Sequence, residues 1–437
     1  MPMTDQPDGD GPPPLLPVDE ALARILKGLA PTQIEHCMLP DTRGRTLATD
    51  IAARLSLPPA AVSAMDGYAV RAADCIDIGT TLTRVGESAA GRPWTGTVGA
   101  AEAVRIFTGA VIPDGADTIL LQEDTTATGE IDGATVTVNE PPRQGQFVRP
   151  AGLDVTAGDM ILTAGTVMSA RLIALAISAG HTEVSVWRRP HVGVLSTGDE
   201  LVRPGDTPGP GQIISSNATY LAAFVAACGA VPVDLGIARD KPGEMLACVR
   251  AAPAPLDFPA PLDFPAPLDL PAPLDLIVTT GGASVGVHDH VVDDLSASGT
   301  ELGFWKIAMR PGKPLIHGRI DDIPLLGLPG NPVSSAVCAN IFLRPAIARL
   351  SGGDHQPQMV AARLASDLKT NDRRQDYLRA TLTYDPQGQA VVTPARKQDS
   401  SMISIYAGAN ALIVRPPFDV ARQTGDLVMV MPLDPLL

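Results

Sequence analysis

The segments LIVTTGGASVGVHDH (276–290), FWKIAMRPGKPLIHG (304–318) and LLGLPGNPVSS (325–335) decide the fold class of this chain. Each carries an apolar run that ends in a turn built from Gly, Pro, Ser or Lys. Short β-forming runs that end in such turns and lead into helical patterns are how an α/β sheet delivers loops to one edge, where ligands bind. Upstream the alternation continues: HVGVLS (191–196) reads as a strand, ATYLAAFVAACG (218–229) as a helix with Asn217 at its N-cap, VPVDLGIA (231–238) as a strand and GEMLACVRA (243–251) as a helix. Strands alternating with helices predict a parallel sheet with right-handed crossovers and Leu276–Val278 as a central strand. A helix from Asn331 to Leu350 follows, with Pro332 in its first turn and Gly352-Gly353 past its end.

Outside this region the chain divides by pattern. A length of 437 residues exceeds what one core supports. Residues 1–16 are polar and Pro-rich and are expected to be disordered. Val18, Ala21, Leu22, Ile25, Leu26 and Leu29 then recur at helical spacing. Residues 49–149 alternate short β-like runs with turns and predict a β-rich domain, after which Ser169 caps a helix, ARLIALAISAG (170–180). Residues 355–437 return to short strands, the pattern of a small antiparallel β-domain.

Composition excludes several classes. The formal charge of −15 argues against a general nucleic-acid or anionic-membrane binder, so an anionic ligand must meet a locally basic site. No run approaches the roughly 18 apolar residues of a membrane span, and MPMTDQPDGDGPPP lacks the basic start and apolar core of a signal peptide; the expectation is a cytoplasmic protein. Cys37, Cys75, Cys228, Cys248 and Cys338 never stand as CxxC, which points to neither a disulfide framework nor a zinc site. From Ala254 to Leu276 the chain repeats APLDFP, APLDFP, APLDLP and APLDL. A proline in every copy forbids a helix or a central strand, so residues 253–273 read as a surface loop lengthened by duplication, with only Leu274–Leu276 merging into the next strand.

The turns carry the chemistry. In GGASVG, Gly281, Gly282 and Gly286 let backbone N–H groups approach an oxyanion and Ser284 adds a hydroxyl; a plain glycine turn fits the pattern equally. It is neither GxGxxG nor GxxxxGK[ST], which excludes the dinucleotide and P-loop readings. Arg310-Pro311-Gly312-Lys313-Pro314 sets two cations on a stiffened turn, and Leu328-Pro329-Gly330-Asn331-Pro332 opens a helix whose free N–H groups favour an anion. Asp66, Asp154, Asp199, Glu200, Asp240 and Asp289 lie in similar turns, singly as turn formers or caps, together as a set suited to Mg²⁺. His288 and His290 flank Asp289, but no third His or Cys nearby supports zinc.

SAMDGYAVR, FTGAVIPDGADTILLQED, STGDEL, GQIISSN, TTGGASVGVHDH, MRPGKP and GLPGNPVS occur in the order found in the molybdopterin molybdenumtransferase family, MoeA and the gephyrin E domain, which this chain resembles from about residue 17 to 437 apart from the repeat. The resemblance implies an enzyme of molybdenum cofactor biosynthesis that takes adenylylated molybdopterin and molybdate and releases AMP with Mg²⁺. It implies a multidomain fold: an α/β molybdopterin-binding domain (183–354), a β-rich domain (49–149), a discontinuous linking and dimerisation unit (17–48 with 150–182) and a C-terminal β-barrel-like domain (355–437). It also implies a homodimer with a composite site and a transient contact with the adenylyltransferase that makes the substrate. The family's functional positions correspond to Asp66, Thr108, Asp154, Glu200, Asp240, Asp289, Lys313, Pro329, Pro332, Arg374 and Ser400; of these Asp66, Thr108, Asp154, Lys313 and Arg374 are expected to be catalytic, with Arg310 beside Lys313 offsetting negative charge. The turn reading is compatible: Gly281, Gly282, Ser284 and Gly286 with Pro329, Gly330, Asn331, Pro332 and Ser400 would bind the pterin and its phosphate, and Glu200, Asp240 and Asp289 would hold Mg²⁺ or orient the pterin. Two departures stand out: Arg310 replaces the lysine of KPGKP, and Gln398-Asp399-Ser400 replaces QGS. The same fold also serves as a non-catalytic scaffold, and a tungstate-specific paralogue would carry the same motifs.

Overall fold

A computed structural model describes residues 15–251, 273–281, 304–435 and 437. Gly282, Ser284, Gly286 and Asp289, the histidines beside Asp289, the N-terminal tail and nearly all of the repeat lie outside the described residues. The chain divides into two compact units, one of residues 1–35 with 187–437 and one of residues 36–186.

The larger unit is built on a six-stranded sheet in the order Val231–Ala238, His191–Thr197, Leu276–Thr280, Ile323–Leu328, Pro314–Ile320, Phe304–Lys306. The first four strands are parallel, as the alternating pattern requires. The last two are antiparallel additions, so the sheet is mixed, not wholly parallel. The reason is local: Asp321-Asp322 makes a two-residue turn, with Asp321 at φ 49, that folds Ile323–Leu328 straight back on Pro314–Ile320. Strand alternation puts Val192, Val194, Leu276, Val278, Leu326 and Leu328 on one face, under the helices Ser216–Ala227 and Pro332–Leu350. Leu195, Val233, Leu235, Ile277 and Leu325 cover the other face with Met245 and Val249 of the helix Glu244–Arg250. All five residues of Leu276–Thr280 are buried, which confirms its central place.

Pro332–Leu350 is long and apolar enough by length and composition to cross a membrane, but 83% of it is buried in the protein, which makes it a core helix. The repeat's last copy is anchored by charge. Asp275 accepts from Arg188 Nη2 at 2.7 and 2.9 Å and from the His191 backbone at 2.7 Å, fixing the entry to the central strand. The helix Val18–Lys27 buries Val18, Ala21 and Ile25 in the core of this same unit. The expectation had grouped it with 150–182; its apolar stripe is instead taken by the α/β core.

The C-terminal segment forms a closed five-strand barrel, Gln375–Tyr384, Ala390–Pro394, Val360–Leu364, Leu427–Pro432 and Ala411–Arg415, with the short strand Met309–Arg310 added at one edge. In the turn after Ala411–Arg415, Phe418 adopts φ 57 although it is 73% exposed. The turn is held by Arg415 and Arg422 on Asp419, at 3.0 and 2.6 Å, and by the Phe418 N–H on Asp372 O at 2.7 Å. A bulky residue is strained at this φ while its ring gains little contact. Phe418→Gly is therefore expected to raise stability by about 1 kcal/mol, read as a higher denaturant midpoint at unchanged slope.

The smaller unit holds its own six-stranded sheet, in the order Thr118–Leu121, Gly67–Val70, Glu102–Ile106, Thr81–Ser88, Thr135–Val138, Thr125–Ala127. A separate cluster joins Leu39, Leu47 and Ile51 to Leu162, Met168, Ala176, Val184 and Val186, so chain segments far apart in sequence share one core. Ser169 does begin the helix Ala170–Ser178, but its side chain makes no capping bond; its backbone carbonyl accepts from Leu172 and Ile173 at 3.0 Å.

Candidate active site

The four parallel strands end together, because Thr197 pairs with Ala238, Ser196 with Thr280 and Thr280 with Leu328. Chain order reverses between His191–Thr197 and Leu276–Thr280, and the crevice at such a switch point is where open α/β sheets take ligands. Gly281 opens that crevice at φ +96, and a Cβ there would stand 2.4 Å from Thr197 O, so only glycine lets the turn approach.

The neighbouring turn, Pro329-Gly330-Asn331-Pro332, is tied to it by Asn217. Its Nδ2 donates to Thr280 Oγ1 at 2.9 Å and to Gly330 O at 2.7 Å. Asn217 was expected as the helix N-cap. Ser215 takes that position, leaving the amide of Asn217, one residue into the helix, free to bridge two loops. Asn331 is the N-cap of the core helix without a side-chain capping bond, and its Nδ2 donates to Ser400 Oγ at 3.1 Å. Val333 N donates to Ser400 O at 3.1 Å. The structure thus brings Gly281, Pro329, Gly330, Asn331, Pro332 and Ser400 together at one helix N-terminus, where the helix dipole favours an anion although Pro332 has no N–H and that of Val333 is taken by Ser400.

At the ends of the two adjacent strands, Asp199 N donates to Asp240 Oδ2 at 3.4 Å and Asp240 N to Asp199 Oδ1 at 3.3 Å. Glu200 is exposed beside them, its carboxylate folded over Gly198. Carboxylate oxygens are the kind of donor a hard cation takes, but among the described residues no group of three or more His, Cys, Asp or Glu could hold a metal ion.

The predicted cations separate. Arg310 is committed: its Nε donates to Asp376 Oδ1 at 2.9 Å and its Nη2 to Asp376 Oδ2 at 2.5 Å, with Asp372 at 3.4 Å. Its charge is matched before any ligand arrives. Arg374 lies on Asp372 at 2.6 Å, and these contacts, Arg374 first, hold the Asp372 carboxyl down to about 2. Lys313 is exposed, on a turn where Gly312 is at φ +106 and a Cβ would stand 2.5 Å from Cys338 Sγ.

Sequence reading missed Arg379. It sits in the strand Gln375–Tyr384, 2% exposed, and its Nη1 donates to Tyr377 O at 3.1 Å. Its Nε and Nη2 are buried without a hydrogen-bond partner among the described residues. Burial lowers its pKa, while Asp376 and Asp399 push the other way. Neither carboxylate pairs with it, since Asp376 is held by Arg310 and Asp399 accepts from the Ser401 backbone at 2.8 Å and hydroxyl at 2.7 Å. Gln398 staples the next loop to the Arg379 backbone, at 2.9 and 3.0 Å, and that loop leads into Ser400. A buried guanidinium with unused donors calls for an oxyanion. The signal in the sequence was a charge inside the apolar run DYLRATL (376–382).

In the smaller unit Asp66 and Thr108 do meet. Asp66 Oδ1 accepts from Thr108 N at 2.7 Å and Thr108 Oγ1 at 2.8 Å, and these bonds lower its pKa. Arg105 stands beside this pair, its guanidinium carbon 5.3 Å from the centre of the Tyr68 ring and 4.8 Å from that of Phe107. Asp154 is exposed in a turn held by its N–H on Leu57 O at 2.9 Å, and no hydrogen bond joins it to Asp66 or Thr108 among the described residues.

Comparison with known proteins identifies the family. Residues 16–180 match the MoeA N-terminal region (domain I and II), residues 269–349 a probable molybdopterin binding domain, and residues 361–433 the MoeA C-terminal region (domain IV). The molybdopterin molybdenumtransferase of Haemophilus influenzae is 34% identical over 97% of this chain and 100% of its own length. The chain belongs to the molybdopterin molybdenumtransferase family. The Bacillus subtilis relative of the same name is 31% identical over 95% of this chain and 94% of its own. A crystal structure of the molybdopterin biosynthesis MoeA protein from a Pyrococcus species superposes with a TM-score of 0.79 at 27% identity, covering 96% of this chain and 100% of that one. Family membership accounts for the coexistence of an α/β sheet, a β-rich unit and a terminal barrel in one chain.

Proposed function

We propose that this protein inserts molybdenum from molybdate into adenylylated molybdopterin, cleaving the adenylyl phosphoanhydride with Mg²⁺ and releasing AMP. The observation that carries the reading is Arg379: a buried guanidinium with two unpaired nitrogens, one loop away from the Ser400–Asn331 helix N-terminus, in a chain of formal charge −15. That combination suits a small oxyanion held beside a second, phosphate-bearing group.

In this reading the Gly281 and Gly330 turns and the start of the core helix seat the pterin phosphate. Arg379 and Lys313 offset the charge of molybdate, and Glu200 and Asp240 hold Mg²⁺ together with water and substrate phosphates. Bound Mg²⁺ would neutralise charge on the phosphoanhydride oxygens as AMP departs. Arg310 and Arg374 fix the shape of the site through Asp376 and Asp372. The protein acts as a cytoplasmic homodimer, with Asp66 and Thr108 of one copy completing the site of another.

The test is direct. Purified protein incubated with adenylylated molybdopterin, molybdate and Mg²⁺ is expected to release AMP in proportion to the pterin consumed. Pterin that stays bound with no AMP in solution would replace the enzyme with a non-catalytic binding scaffold.

A further inference from the structure

We propose that Thr197 is a ligand-binding residue, its hydroxyl donating to a phosphate oxygen of the substrate seated on the Gly281 turn; this rests on the transferase reading above. Four hydroxyl side chains stand at the end of the two central strands. Ser196 Oγ is paired with Ser215 Oγ at 2.8 Å, and Thr280 Oγ1 accepts from Asn217 Nδ2 at 2.9 Å. Thr197 and Thr279 are also buried, at 6% and 0% exposure, yet neither Oγ1 has a hydrogen-bond partner among the described residues. Register puts these two on one face, because Leu195 lies opposite Thr279 and Thr197 is two residues beyond Leu195. Buried hydroxyls are almost always satisfied, so an unsatisfied one needs a reason.

The two orphans differ in position. Thr279 is closed in: a Cβ added to Gly327, its cross-strand neighbour, would lie 2.8 Å from Ile316 Cβ and 3.2 Å from Thr279 Oγ1. Thr197 is the last residue of its strand, at the switch point. Its Oγ1 lies 2.8 Å from where a Cβ on Gly281 would stand, so the absence of that Cβ leaves the hydroxyl against the turn. A neutral donor already stripped of water, beside a turn that admits only backbone, suits an anionic oxygen, to which a hydroxyl bonds strongly.

Thr197→Val removes the hydroxyl and keeps the shape. Because no protein hydrogen bond is lost, its melting temperature is expected to equal or exceed that of the wild type. KM for adenylylated molybdopterin is expected to rise about tenfold, the ratio for one hydrogen bond to a charged group, with kcat changed much less. Thr197→Ser should recover the wild-type KM, and Thr279→Val should keep it throughout. A Thr197→Val enzyme with wild-type KM would overturn the proposal. Should that variant not fold, Thr197→Ala against Thr197→Ser makes the same comparison. Should even the wild type release no AMP, the transferase reading fails on its own, and the thermal upshift by adenylylated molybdopterin still decides Thr197: equal upshifts in wild type and Thr197→Val would remove it.

Discussion

Asp66→Asn is expected to leave the fold intact and to lower AMP release by about 10² to 10⁴, the range for one positioned charged group. Asparagine keeps the Oδ1 acceptor that Thr108 N and Oγ1 use at 2.7 and 2.8 Å, so the turn survives while the charge is lost. The Thr108 bonds hold the Asp66 carboxyl below the ordinary aspartate value. With a depressed folded-state pKa, its ionisation favours the folded turn at all pH above the unfolded value and is lost as pH falls through the folded one. Asp66 therefore stays charged across the neutral range, and the loss in Asp66→Asn should be uniform from about pH 5 to 8. A loss confined to the acid end, or wild-type rates, would remove Asp66 from the site.

Arg379→Met is expected to cost turnover by roughly 10² to 10³ while leaving stability unchanged or raised by up to about 2 kcal/mol. Here the wild-type side chain is itself the liability, since Nε and Nη2 are buried with no partner. Methionine fills similar space without a charge to desolvate. Denaturant midpoints and molybdate-dependent AMP release read the two effects separately; a destabilised variant would show that the guanidinium is paired inside the fold. In the proposed homodimer, mixing Asp66→Asn with Arg379→Met should restore part of the activity through hybrid dimers that carry one intact site.

Local regularities were legible in the sequence. Val192, Val194, Leu276, Val278, Leu326 and Leu328 announce their strands by run length and flanking turns, and the glycine and proline turns after them mark one edge of the sheet. Strand pairing across long separations was less so. That Ile323–Leu328 turns back on Pro314–Ile320 depends on two aspartates, a weak turn signal beside the motifs around them. The Val18–Lys27 helix shows its apolar stripe in sequence, but the surface that buries it comes from residues about 170 and more positions later.

The site divides the same way. Asp66 with Thr108, and Asn331 with Ser400, were named as members, yet only folding shows which atoms meet. Arg310 looked like a free cation because residue type records charge and not its neutralisation; Asp376 uses that charge up, as Asp372 does that of Arg374. Arg379 looked like one residue of a strand, and burial without a partner is invisible until the barrel closes around it. The sequence alone determined the α/β class, the family and the position of the turns that follow the central strands, because periodicity and turn residues act over a few neighbours. Which cation remains available for an oxyanion was decided only by the tertiary structure, because pairing and desolvation depend on groups brought together from distant parts of the chain.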